Sequence, residues 1–378
     1  MATLTPPIKV PSLRPCGLRL RLSRVTRAPC RTRPRTRVMI SLSSMNTRFC
    51  RQYLVSSPLM LAPMGGCAGG KLAAAVSKAG ALGLVGSGGE SQKYLRQQWS
   101  ISQAQGGCHG FGINVAQVNA EDLRTLVDTL KPQVVYLSFG DVREKGHANA
   151  VIDGGAQVIA NAADVQTVVK HADAGVAVIV VQGADAGGHT DGRASAFAVL
   201  PEARDALDAA GHNDVLLAYA GGVADGRGVA AALTLGADAV VLGTRLAAAE
   251  ESDYLATQKE ALRGASDGAN ATTIGRFVDA LNGIDEHSSG LPGRCLVNRS
   301  TALKDAWDSA PSPEARAELS TQHRAGVAAG GGDGAEWGTT WAGAGVGLVP
   351  AHSQSAAAIL EEVTAEAEAA LKRAGLLL

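Results

Sequence analysis

Cysteine, aromatic residues and long hydrophobic runs are all scarce in this 378-residue chain. Its six cysteines (Cys16, Cys30, Cys50, Cys67, Cys108 and Cys295) are scattered with no CxxC pair, which argues against a disulfide framework and against structural zinc. No His/Cys/Asp/Glu cluster has metal-ligand spacing, so no metal is expected. No stretch reaches the roughly 18 apolar residues a spanning helix needs, so no membrane association is expected. Aromatic residues make up 4%. Glycine (46 residues) and alanine dominate instead, as expected where helices pack tightly on a sheet and backbone approaches a ligand. A P-loop is missing, and no GxGxxG lies between a first strand and helix; Gly86-Ser87-Gly88-Gly89 matches only in part and reads as a rim turn.

Acidic residues are missing from the first 89 positions, which hold 14 Lys and Arg; Glu90 is the first carboxylate. The remainder carries 35 acidic against 21 basic side chains, so a net charge of zero hides an arm and a body of opposite sign. A basic arm can bind nucleic acid. Here the arginines, from Arg14 to Arg37, sit among Ser, Thr, Pro and Leu, the composition of an organellar transit peptide, and no nucleic-acid partner is expected. The prolines interrupt any continuous amphipathic helix. Mitochondrial import is one expectation. A cytoplasmic protein with a disordered tail, or with an extended start and Met45 as second candidate initiator, is the other. Residues 1–45 are set apart as an extension and residues 46–378 as the folded body.

From Leu59 onward a unit repeats: a short apolar run, a Gly-rich turn, then an Ala-rich helical stretch. The runs are Leu59–Pro63, Leu82–Gly86, Gly110–Val115, Val134–Phe139, Gln157–Ala160, Ala177–Val181, Val215–Ala220 and Ala239–Gly243. They are continuously apolar rather than alternating, which suits parallel strands buried on both faces. Eight such strands with crossover helices predict an α/β fold of the (β/α)8 TIM-barrel type, with a doubly wound open sheet as the alternative. Residues 250–340 are polar and irregular, long enough for a small cap over the barrel mouth. A closing amphipathic helix is expected over 354–374.

In such barrels the working groups lie at the carboxyl ends of the strands. Strand 7 ends in Ala220-Gly221-Gly222 and strand 8 in Gly243-Thr244. Neighbouring glycine-ended strands expose main-chain N–H groups, and Thr244 adds a hydroxyl donor, so together they predict a phosphate cup. The first strand ends Ala62-Pro63-Met64-Gly65-Gly66, a turn able to lie flat against a planar ring, although turn duty alone would also explain it. Asn114 offers a donor and an acceptor to a ring edge, or serves the core. The sixth ends in Gly187-Gly188-His189. A histidine after two glycines on that face is a candidate base, since its ordinary pKa of about 6.5 suits removal of an acidic carbon-bound proton. His109, His171 and His212 read as surface or structural, and Cys67 as a small residue near the site.

The segments LAPMGG, FGIN, VVQGADAGGHTDG, YAGGVADGRGVAAALTLGADAVVLGTR and WAGAGVGLV resemble the nitronate monooxygenase family, formerly the 2-nitropropane dioxygenases, in order over roughly residues 55–350. They are also similar to flavin-dependent enoyl-acyl-carrier-protein reductases and certain NADH:quinone reductases. The resemblance implies bound FMN lined by Ala62, Pro63, Met64, Asn114, Gln182 and Gly187. Gly221, Gly222, Gly243 and Thr244 would hold its phosphate, and His189 would be the catalytic base. Gly293-Arg294 to Asn298 matches a later GR-x3-N segment. Asp185 stands where the family usually has glutamate, and no proline follows Ser138-Phe139-Gly140. The implied reaction is oxidation of alkyl nitronates or nitroalkanes by O2 to carbonyl compounds and nitrite. An NAD(P)H-dependent reductase acting on quinones or enoyl thioesters, and a non-catalytic flavin-binding barrel, are the alternatives.

Overall fold

The computed structural model describes residues 45–88, 91–283, 290–329 and 335–375; residues 1–44, and with them nearly all of the basic arm, lie outside it. Its strands are β1 (Leu59–Leu61), β2 (Leu84–Ser87), β3 (Gly110–Asn114), β4 (Val134–Ser138), β5 (Gln157–Ala162), β6 (Val178–Gln182), β7 (Gly188–His189), β8 (Leu216–Ala220), β9 (Ala239–Leu242), β10 (Thr272–Gly275) and β11 (Gly293–Leu296). Eight of them form one parallel sheet in the order β1-β9-β8-β6-β5-β4-β3-β2. The sheet closes where Met60 bridges Leu82 in parallel, with Leu61 N–H donating to Leu82 C=O at 2.9 Å and Leu82 N–H to Leu59 C=O at 3.0 Å. Closure makes this a TIM barrel and removes the open-sheet alternative.

The two faces of each strand feed separate cores. Met60, Leu84, Val134, Tyr136, Ile159, Val178, Val180, Leu216 and Ala218 form one cluster. Their neighbours Leu59, Leu61, Val135, Leu137, Val158, Ile179, Val181, Leu217 and Val240 join the helices in the other. Side chains alternate along a strand, so a run apolar at every position serves both.

One element was not anticipated. Helix Arg48–Tyr53 plugs the amino-terminal end of the barrel, burying Phe49, Cys50 and Tyr53 against the inner cluster. The Thr47 hydroxyl accepts the N–H of Cys50 and donates to Asp238 C=O at 2.7 Å. Arg48 reaches the Asp238 carboxylate with Nε at 2.8 Å and Nη2 at 2.9 Å, and the same carboxylate accepts Leu217 N–H at 3.0 Å. Met45 is buried in the outer core. At the other end of the chain, helix Ala356–Gly375 packs on helices Gly226–Thr234 and Gly70–Lys78. A Cβ at Gly226 would lie 2.3 Å from Ala367 N, so only glycine permits this approach.

Residues 250–340 supply short helices such as Phe277–Leu281, the 17-residue helix Pro313–Ala329, and two strands of the antiparallel sheet β10-β11-β7. Strand β7 belongs to the loop after β6, so this region is stitched into the barrel mouth: Gly293 pairs with His189 and Arg294 with Gly188. No helix of the described residues is long and apolar enough to cross a membrane.

The plug predicts a stability cost. Phe49→Ala, at a fully buried site, should lower the unfolding free energy by about 3–5 kcal/mol in urea titrations; a loss below about 1 kcal/mol would contradict the packing described.

Candidate active site

The carboxyl ends of the eight barrel strands surround a cavity of about 650 Å³. All eleven residues singled out above line it: Ala62, Pro63 and Met64 after β1, Asn114 at the end of β3, Gln182, Gly187 and His189 after β6, Gly221 and Gly222 after β8, and Gly243 and Thr244 after β9. The chain brings them together because each lies at the carboxyl end of a barrel strand or in the loop that follows it, and burial on both faces fixes the register of those strands.

The Gly221-Gly222 turn has φ of 119° and 69°. Both values lie where side chains are disfavoured, and such a turn aims successive N–H groups to one side. Asp185 packs behind it: a Cβ on Gly222 would lie 3.2 Å from Asp185 Cβ, and the carboxylate is held by the Ser195 hydroxyl at 3.0 Å. The shorter acid therefore buttresses the turn and is absent from the cavity lining. Thr244 Oγ1 accepts Gly343 N–H at 2.9 Å, which leaves its own proton to donate. Asn114 spends Oδ1 on Ala116 N–H at 2.9 Å, leaving Nδ2 to donate. Gln182 is engaged at both ends: Oε1 accepts from Asn161 Nδ2 at 2.9 Å, and Nε2 donates to His189 C=O at 3.2 Å. It braces the histidine loop.

His189 sits in a built environment. Its Nε2 lies 2.6 Å from Asp279 Oδ2, while Asp279 is 8% exposed and its Oδ1 has no partner among the described residues. The imidazole lies 5.0 Å from the Trp341 ring at 50° and 6.3 Å from Phe139 at 77°. Phe139 has φ of 57°, rare for a bulky residue, with its N–H held by Asn161 Oδ1 at 2.9 Å. Sequence reasoning missed Asp279, Phe139 and Trp341 as partners of His189. Asp279 in particular lies on a five-residue helix, FVDAL, which carries no motif.

Arg294 of the GR-x3-N segment donates to Thr272 Oγ1 and to Ala184 C=O, both at 3.1 Å, tying the cap to the loop after β6. Asn298 Oδ1 accepts the N–H groups of Ser300 and Thr301 and organises the next turn. Ser87 and Gly88 line the cavity as part of the β2 rim, while Gly89 lies outside the described residues. His109 is tied to Ser77 and to Gly83 N–H, His171 is buried on its helix, and His212 pairs with Asp173 at 2.9 Å. None of the three lines the cavity. Burial pushes the Cys67 thiol up to about 12, outweighing its hydrogen bond with Ser252. Burial likewise raises the Tyr136 and Tyr254 phenols, so both are neutral walls of the cavity.

A barrel of this kind, with glycine-bearing turns after its last two barrel strands and a braced histidine lining the same cavity, is the architecture of a flavin-dependent oxidoreductase. The nitronate monooxygenase family profile matches residues 102–366. A nitronate monooxygenase of Neurospora crassa is 30% identical over 369 residues, covering 88% of this chain and 94% of that one. Among solved structures, FabK from Thermotoga maritima is 25% identical with a TM-score of 0.74, covering 88% of this chain and 99% of that one. Nitroalkane oxidase from Streptomyces ansochromogenes is 25% identical with a TM-score of 0.67, covering 85% and 98%. The chain belongs to the nitronate monooxygenase family.

The raised thiol predicts that Cys67 is chemically silent. In the native protein at pH 8, iodoacetamide labelling followed by peptide mass spectrometry should leave Cys67 unmodified while the urea-unfolded chain is labelled; labelling of native Cys67 within minutes would contradict its burial.

Proposed function

We propose that the chain binds FMN in this cavity and oxidises alkyl nitronates, or nitroalkanes after loss of their α-proton, with O2 to carbonyl compounds and nitrite. The observation that carries the reading is the donor set of the turns after β8 and β9. Thr244 Oγ1 has its acceptor role filled by Gly343 N–H, and it lines the same cavity as the Gly221-Gly222 turn, whose positive φ values suit a main-chain N–H donor turn. Such a donor set fits an anion without needing a cation. The Pro63-Met64 turn supplies a flat apolar edge for a ring, and Asn114 a donor to its rim. The cavity volume of about 650 Å³ falls within the range of cofactor and ligand sites. The names of the Neurospora relative and the Streptomyces structure support the same chemistry.

When bound, FMN supplies the redox chemistry, taking electrons from the nitronate and passing them to O2. The chain's own residues bind, orient and move a proton. A nitronate is already a carbanion equivalent and needs little acid–base help. A neutral nitroalkane must first lose its α-proton, and His189 is the group of the cavity suited to take it.

Purified protein should be yellow with a flavin absorption band, and should release nitrite from a nitronate aerobically. Rapid anaerobic bleaching by NADH or NADPH without nitrite release would favour the reductase alternative, and colourless protein the non-catalytic one. His189→Asn should lower nitroalkane turnover by about 10²–10⁴-fold, the usual worth of a general base, with a much smaller loss on preformed nitronate; equal losses would sink the base role. Thr244→Val should weaken FMN retention about 10- to 100-fold by equilibrium dialysis, the worth of a hydrogen bond to a charged group.

A further inference from the structure

Besides His189, Asp279 is the ionisable acid or base among the described residues lining the cavity whose charge could act on a substrate, and no Lys or Arg is among them. Its carboxylate reaches into the barrel mouth from helix Phe277–Leu281, one oxygen 2.6 Å from His189 Nε2 and the other without a partner among the described residues. A buried carboxylate with one neighbour so close puts the imidazole's proton on Nε2, the nitrogen that donates to it. His189 Nδ1 makes no hydrogen bond to any described residue, so the lone pair is left there. The ring cannot easily swing away. Trp341 and Phe139 stand against it, and its own main chain is locked in the β7–β11 ladder.

We propose that Asp279 is the positioning and specificity-determining residue of this site: it holds His189 as the Nε2–H tautomer with Nδ1 as proton acceptor, and so fits the site to uncharged nitroalkanes. This rests on the function proposed above. In the step it assists, the α C–H bond of the nitroalkane breaks and the proton passes to Nδ1. The electron pair moves onto the nitro group to give the nitronate, and the new imidazolium is paired with the Asp279 carboxylate. That pairing strengthens as charge develops, which makes it an interaction of the transition state rather than of the bound substrate. The same negative charge offers nothing to a preformed nitronate, itself an anion.

The test compares nitroethane with preformed ethyl nitronate in Asp279→Asn and Asp279→Glu, each checked for an unchanged flavin spectrum. A carboxamide can donate to Nε2 and reverse the tautomer, so Asp279→Asn should lower kcat on nitroethane by about 10²–10⁴-fold. On ethyl nitronate kcat/KM should change by less than about fivefold or rise. Asp279→Glu should restore part of the nitroethane rate. Equal losses on both substrates, as a merely structural residue would give, overturn the proposal, as does an unchanged nitroethane rate. A readout independent of turnover is the ¹⁵N–¹H imidazole spectrum, with the His189 signal identified by its loss in His189→Asn. An Nε2–H tautomer in the unmodified protein supports the proposal, and an Nδ1–H tautomer overturns it even if the variants fail to fold. Absence of nitrite release from either substrate by the unmodified flavoprotein would instead overturn the function proposed above, while the tautomer result would still stand.

Discussion

The pairing of Gly188-His189 with Gly293-Arg294 is the contact on which the mouth of this barrel depends. Without it, the loop after β6 would be a glycine-rich excursion with many conformations, and a histidine on it would be poorly placed for proton transfer. The ladder makes that histidine a strand residue, and Arg294 repeats the tie by bonding to Ala184 C=O. The cap is thus part of the cavity mouth. It supplies the opposing strand, the carboxylate on Nε2 and, through Trp341, one wall around the imidazole.

A second constraint runs through glycine. The segment around Ala342-Gly343 lies against the loop after β6 so closely that a Cβ on Gly187 would come within 2.5 Å of main-chain atoms at Ala342 and Gly343. Ala344 N–H completes the contact by donating to Asp185 C=O at 2.9 Å. From the same segment Gly343 N–H occupies the acceptor of Thr244. One stretch of chain near the carboxyl terminus therefore joins Thr244 to the loop that bears the histidine. Substitution at either glycine would disturb both ends of the cavity together.

Much of this was legible in the sequence, for a physical reason in each case. The barrel strands are buried on both faces, so each left an apolar run, and the eight runs give the eight strands with ends moved by one or two residues. The Gly221-Gly222 pair was readable because positive φ restricts the residue type, and the Gly243-Thr244 pair because it ends the next apolar run. Other parts left no such mark. Helix Arg48–Tyr53 is too short for a periodic pattern, and its role as a plug depends on a barrel floor made by distant strands. The cap was opaque because its strands are two to four residues long and one of its two pairings spans about a hundred positions, as Gly188 does with Arg294. Asp279 looked like an ordinary polar residue of a short helix, and only the folded chain brings it to His189. The glutamine at 182 was expected beside the cofactor, but its hydrogen bonds show a further duty, bracing His189 C=O.

In the function proposed above, the turns after β8 and β9 hold the phosphate of FMN while the histidine of β7 overlooks the ring. A crystal structure of the flavin-loaded protein tests it most directly. Phosphate oxygens should lie within hydrogen-bonding distance of the main chain at Gly221-Gly222 and of the Thr244 hydroxyl, with the ring between the Pro63-Met64 turn and His189. A phosphate bound elsewhere, or a ring on the far side of the cap from His189, would contradict it.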